Sequence, residues 1–172
     1  MVTKITTEIH IENNYYLSSK NNNNAIDLAG IDTIPLSEWF DTWLNALDDS
    51  LPQANGYELS LRFTSDREIA TFNNQYRQKN QPTDVLAFAA LESEVVSPLE
   101  LTEFLYLGDI VISLDTAYRQ AKEQHHSPVT EIAWLASHGL LHLLGWDHPD
   151  DYSLKKMWQK QAILLKLVEI TD

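Results

Sequence analysis

HGLLHLLGWDH, residues 138–148, carries three of the chain's six histidines. Leu140, Leu141, Leu143 and Leu144 mark an apolar helix around the first two, and residues four apart on a helix share a face about one turn apart. His138 and His142 can therefore converge on one ion. Gly145 can take the positive φ that ends a helix, the chain turns back, and Pro149 blocks its continuation. His148 then completes the set. A helix in the C-terminal half and the turn after it thus form a candidate metal site, with His138, His142 and His148 as ligands. Three protein ligands leave a fourth position open, which marks a catalytic rather than a structural zinc site. Zinc, one ion per chain, is the first expectation from an all-imidazole set; nickel and copper also suit imidazole.

The spacing also fits a well-known three-histidine protease motif, with one departure. Zinc proteases carry a glutamate after the first histidine as general base, and this chain has Gly139. A peptidase then lacks a proton shuttle of a kind worth a factor of about 10² to 10⁴. Phosphodiester cleavage leans more on charge stabilisation and positioning, which a metal and an arginine can supply. Hydrolysis of a phosphoester is therefore a rival to peptide hydrolysis.

Outward from this segment, periodicity supplies the fold. Ile5, Ile9 and Ile11 predict a strand over about 2–11. Leu36, Trp39, Phe40, Trp43, Leu44 and Leu47 fall at helical spacing after Pro35, and core packing is the simplest use of that aromatic stripe. YELSLRF (57–63) alternates as a strand does. SDRE (65–68) matches a capping box, with Ser65 as N-cap and Glu68 reaching back, and opens a helix to about Tyr76. Strands are predicted over 83–91 and 105–113, and helices over 113–124, from Pro128 to Gly145, and over about 151–169. The last helix has Leu154, Met157, Trp158, Ile163, Leu164, Leu167 and Val168 as its apolar residues. The order β-α-β-α-β-β-α-α-α is an α+β fold, a small mixed β-sheet packed with helices, expected as a single domain over 1–172. NNNN at 21–24 reads as a mobile surface loop. His10, His125 and His126 lack any ligand spacing and are expected at the surface.

Composition narrows the function. With 172 residues and 44% hydrophobic content the chain is long enough and apolar enough for a proper core. It has no cysteine, which excludes a disulfide scaffold, a thiol nucleophile and thiolate-bound zinc. The N-terminus lacks the apolar region of a signal peptide and no segment could span a bilayer, so a cytoplasmic location without membrane association is the default expectation. The net charge of −13 argues against a non-specific nucleic-acid binder. Residues 57–84 are the exception, with Arg62, Arg67, Arg77 and Lys79 balancing Glu58, Asp66, Glu68 and Asp84. Contact with phosphate is expected there first.

Three segments, NNQYRQKNQPTDVLAFA (73–89), LGDIVIS (107–113) and HGLLHLLGWDH (138–148), resemble the YbeY family of single-strand-specific endoribonucleases, which act in ribosomal RNA maturation and ribosome quality control. The similarity runs in order and spacing from about 57 to 165, and the asparagine tract looks like a local insertion. It implies that His138, His142 and His148 bind a catalytic zinc ion and that Arg77 lies in the active-site cleft and is needed for activity. The planar guanidinium of Arg77 suits bidentate phosphate contact. Lys79 is a second candidate for the RNA backbone. Asp147 either caps the turn or orients a ligand's second nitrogen. Asp84 and Asp109 match family positions and are expected in structural turns; Met157 is either a floor residue of the site or core.

Three functions follow: a zinc-dependent endoribonuclease acting on single-stranded RNA such as ribosomal RNA, with a ribosomal subunit or ribosomal protein as partner; a metallopeptidase-like hydrolase; and a ribosome-associated binding module with structural zinc. Gly139 counts against the second and the open ligand position against the third.

Overall fold

The computed structural model describes residues 4–18, 28, 30–92 and 104–171. The asparagine tract at 21–24 lies outside them. Strand β1 (Thr7–Asn13) leads into a single helical turn, α1 (Tyr15–Ser18). Helix α2 (Leu36–Ala46), strand β2 (Tyr57–Thr64) and helix α3 (Asp66–Arg77) follow. Then come strands β3 (Val85–Ala89) and β4 (Leu105–Ser113), and helices α4 (Leu114–Glu123), α5 (Pro128–Leu143) and α6 (Asp151–Leu167). The strands form one sheet in the order β1-β2-β4-β3. β1, β2 and β4 run parallel and β3 runs antiparallel to β4. The fold is mixed α+β, as the sequence pattern predicts.

The alternation in β2 decides which face is covered. Leu59, Leu61 and Phe63 join Ile110 and Ile112 of β4 in the main core, under α2, α4, α5 and α6. Trp43, Phe40 and Leu44 of the aromatic stripe are fully buried there, and Trp43 Nε1 donates to the Leu164 carbonyl at 2.8 Å. The stripe is therefore core, and each of these side chains contributes about 1.5–3 kcal/mol by burial. On the opposite face, among the described residues, α3 packs on the sheet through Ile69 against Leu86 and Val111. β3 is an edge strand, and α5 lies across β3 and β4.

Two local expectations need correction. Ser65 does cap α3, accepting from the Glu68 backbone N–H. Glu68 commits its carboxylate elsewhere, to Arg62 Nε at 2.7 Å, Thr64 Oγ1 at 2.7 Å and Asn14 Nδ2 at 2.9 Å. The arginine is a stronger partner than a backbone amide. The reciprocal box forms instead at α6, between Asp150 and Ser153. Asp109 is not in a turn. It sits within β4, just past a shift in register against β2, and accepts the Tyr106 hydroxyl at 2.6 Å.

α3 is anchored at its first turn by Asp66. Its carboxylate accepts from Ser113 Oγ and Thr116 Oγ1, both at 2.6 Å, and from Arg119 at 2.8 Å. Its backbone N–H donates to Asp115, which also accepts the buried Tyr15 hydroxyl. Burial pushes the Asp66 carboxyl up, but the hydrogen bonds and the Arg119 charge together outweigh it and hold the group below its ordinary value. Asp66 thus titrates lower in the folded chain than in the unfolded one. Its stabilisation is complete above the ordinary carboxylate range, about pH 4, and is lost as the pH falls below it. Glu68 is depressed in the same direction, with burial opposed by Arg62, Thr64 and Asn14. Thermal melts at falling pH should show an acid-side loss of stability below about pH 4, and Asp66→Asn should flatten that slope. An unchanged slope in the variant would remove Asp66 from this role.

Candidate active site

The site is assembled from four places in the chain. α5 supplies His138 and His142, the turn after it supplies His148, α3 ends at Tyr76 and Arg77, and the whole of β3 forms one wall. They line one open cleft of ≈ 900 Å³ with Thr83, Asp84, Asp147 and Leu154. α5 begins at Ser127, whose hydroxyl accepts from the Thr130 N–H, with Pro128 in the first turn. Its C-terminus is closed by Gly145 at φ 92°, and the Gly145 and Trp146 N–H groups return to the carbonyls of His142 and Leu141. That reversal carries His148 back over the helix end. His138 Nε2 and His142 Nε2 are 3.0 Å apart, and nitrogens of all three imidazoles lie within 4.8 Å of one another. The ring centroids form a triangle with sides of 4.6, 5.2 and 5.4 Å.

The three imidazoles form a cluster of a size that could hold a metal ion. Burial pushes His138 down, with His148 adding to it against a hydrogen bond that His138 donates to Gln161. Burial and the other two histidines push His142 down to about 4. Both are neutral near pH 7, each with a lone pair to offer. The tautomer of His138 is fixed from behind. Gln161 is fully buried and donates through Nε2 to the Trp134 carbonyl at 3.1 Å, so its Oε1 accepts from His138 Nδ1 at 3.1 Å. Nε2 of His138 is left with its lone pair facing His142 and His148. Three imidazoles without a thiolate fit a divalent ion that favours nitrogen.

Gln161 is the site residue that local sequence reading misses. It lies 23 positions from His138 in sequence. A signal exists, because buried Met157, Leu164 and Leu165 define the inward stripe of α6 and Gln161 is the polar residue on it. The expected stripe was too broad: Trp158, Ile163 and Leu167 are exposed, while Met157 is fully buried in the core and does not line the cleft. Gln161→Leu keeps the volume and removes the acceptor. It should weaken metal affinity by about 10- to 100-fold, the usual scale for a partner that orients a ligating histidine. Competition with a chelator measures this, and wild-type affinity in the variant would show that the amide does not orient the ligand.

Gly139 has a packing reason. A Cβ at this buried position would lie 2.8 Å from Ile110 Cγ2 of β4, and Ile110 is itself fully buried and β-branched. The helix rests directly on the sheet at the one position where a zinc protease carries its base. A glutamate does not fit there without displacing the helix that holds two of the histidines.

Arg77 is exposed, and among the described residues it has no ion-pair or hydrogen-bond partner. Its placement comes from the end of α3, where Gln78 takes a left-handed conformation and Asn73 Nδ2 holds the Gln81 carbonyl at 2.8 Å. Lys79 is exposed and does not line the cleft. Asp147 Oδ1 accepts the His148 N–H at 2.8 Å and caps the turn. Asp84 also has a structural place: Oδ1 accepts the Val85 N–H at 2.7 Å and Oδ2 accepts from Gln120 at 3.2 Å. His126 is not a surface residue. It is half-buried and paired with buried Glu131 at 2.5 Å.

A family model described as "Endoribonuclease YbeY" matches residues 20–169. The chain belongs to the YbeY family. A YbeY endoribonuclease of a Picosynechococcus species is 54% identical over 149 residues, covering 87% of this chain and 91% of that protein. The YbeY endoribonuclease of a Synechocystis species is 47% identical over 169 residues, covering 97% and 93%. A Cyanothece relative of the same name is 61% identical over 135 residues, covering 78% and 80%. The YbeY match extends well upstream of residue 57, where the motif similarity begins. Among solved structures, TM1509 from Thermotoga maritima is similar in fold, with a TM-score of 0.54 at 22% identity over 93% of this chain and 88% of that one. No helix among the described residues is long and apolar enough to cross a membrane.

Proposed function

We propose that the chain is a zinc-dependent endoribonuclease of single-stranded RNA, working as one domain on ribosomal RNA with a ribosomal subunit or ribosomal protein as partner. The observation that carries this reading is the cleft itself: three converging imidazoles and an arginine with no ion-pair partner among the described residues face one space in a chain of this family. His138, His142 and His148 would hold the ion, Gln161 fixing the tautomer of the first. When bound, zinc would supply Lewis-acid polarisation of a phosphoryl oxygen and a water acidic enough to act near neutral pH. Arg77 binds the scissile phosphate through its planar fork and neutralises charge that develops on its oxygens. β3 and the 145–148 turn form two sides of the cleft.

The net charge of −13 shapes the binding. With one unpaired arginine in the cleft, affinity for naked RNA should be low and sensitive to salt. A ribosomal partner would then deliver the RNA, with the cytoplasm as the proposed site of action. β3 lines the cleft as the outermost strand among the described residues, and an extended peptide pairing with it is the specific feature behind a peptidase reading. Gly139 and its contact with Ile110 oppose it.

Labelled single-stranded RNA, the same RNA in a duplex and casein distinguish the readings. The single-stranded RNA alone should be cut. Hydrolysis of casein with RNA left intact would transfer the site to peptide chemistry.

A further inference from the structure

At the mouth of the cleft, next to Arg77, Tyr76 leaves 60% of its surface exposed, far more than a core aromatic does. The ring is nevertheless held in place. Phe88 of β3 meets it edge to face, with centroids 4.9 Å apart and an interplanar angle of 61°. The helix end beneath it is fixed by the left-handed Gln78 and by the hydrogen bond from Asn73 to the Gln81 carbonyl. An exposed aromatic ring with fixed orientation is a surface on which a flat apolar group can stack at little entropic cost.

Tyr76 and Phe88 also stand on a boundary. On one side is the cleft with the three histidines and Arg77. On the other is a groove between α3 and the sheet face it packs on, lined in part by Glu12, Arg62 and Asp109. Arg62 is already paired with Glu12 at 2.6 Å and Glu68 at 2.7 Å, so it offers no free cation. Asp109 adds negative charge. A phosphate backbone is therefore favoured on the Arg77 side and opposed on the sheet side, while a nucleobase, which is uncharged, can lie at the boundary.

We infer that Tyr76 is a stacking platform for the base of a nucleotide flanking the phosphate held by Arg77, and that it contributes to the choice of single-stranded over paired RNA. The assignment rests on the endoribonuclease reading. A base inside a duplex has both faces covered by its neighbours, whereas an unpaired base can present one to the ring.

The test combines two variants with an altered substrate. Tyr76→Ala should raise KM for a single-stranded RNA by about 5- to 150-fold, the span of base–aromatic stacking, with kcat little changed. Bound metal and the circular dichroism spectrum should match wild type, because the ring is exposed. Tyr76→Phe keeps the stacking face and should rescue KM. In a series of RNAs with one abasic nucleotide stepped across the cleavage site, wild type should lose kcat/KM at one flanking position, and Tyr76→Ala should be indifferent to that position. Wild-type KM in Tyr76→Ala, or an abasic loss that persists undiminished in that variant, would overturn the platform while leaving the ribonuclease intact. Absence of RNA cleavage by wild type would overturn the ribonuclease reading and the platform with it.

Discussion

Replacing His142 with alanine should remove bound metal and RNA cleavage in one step. His142 stands in the middle of the ligand set, with its Nε2 3.0 Å from that of His138 and its ring 5.2 Å from that of His148. Without it two imidazoles remain, one on α5 and one on the turn, and two imidazoles hold a divalent ion poorly. The loss of cleavage should reach about 10²- to 10³-fold or more, the scale on which losing charge stabilisation at a reacting centre acts. Elemental analysis of the purified variant measures the metal, and circular dichroism checks that α5 persists. The fold should survive. His142 is only partly buried, and the helix keeps the contacts of Leu140, Leu141 and Leu143 in the core. A metal-free His142→Ala protein that cleaves at the wild-type rate would separate the histidines from the chemistry.

The second large effect belongs to Arg77. Arg77→Ala should leave metal content and thermal stability at wild-type values, since the side chain is exposed and makes no ion pair among the described residues. RNA cleavage should fall by about 10²- to 10³-fold, as expected when a donor to a developing anion is removed. Arg77→Lys should recover part of this at most. Lysine restores the charge but not the planar fork that meets two phosphate oxygens at once. Normal cleavage by Arg77→Ala would place the phosphate elsewhere in the cleft. The two variants also dissect the centre, because one loses metal and activity together and the other loses activity alone.

The clustering of the three histidines was legible because its information is local. Helical spacing, a glycine at the helix end and a proline after the turn lie within a dozen residues of each other, and the structure brings the three imidazoles together as that spacing implies. The sheet and its helices were legible for the same reason, from alternation in β2 and the 3.6-residue stripe of α2. What failed to show depends on tertiary contact. Gln161 orients His138 across two helices. Glu68 prefers Arg62 to its own helix terminus. Asp109 accepts the Tyr106 hydroxyl within β4, beside a shift in register against β2. The meaning of Gly139 was half visible. Sequence shows a missing glutamate, and only packing against Ile110 shows that the position has no room for one.

These contacts tie the fold to the proposed chemistry. α5 can lie close enough to β4 and β3 to bring its histidines beside the edge strand because residue 139 has no side chain. α3 delivers Arg77 to the same space because Asp66 fixes one end of the helix and Asn73 the other.

The most direct measurement is a titration of zinc into chelator-stripped wild-type protein, followed by cleavage of an end-labelled single-stranded RNA. Cleavage should be absent at the start, rise with added zinc and level off at about one ion per chain, as expected for a single centre that fixes a catalytic metal. Full cleavage by the stripped protein, in the continued presence of chelator, would contradict the assignment of the three histidines as the centre of the reaction.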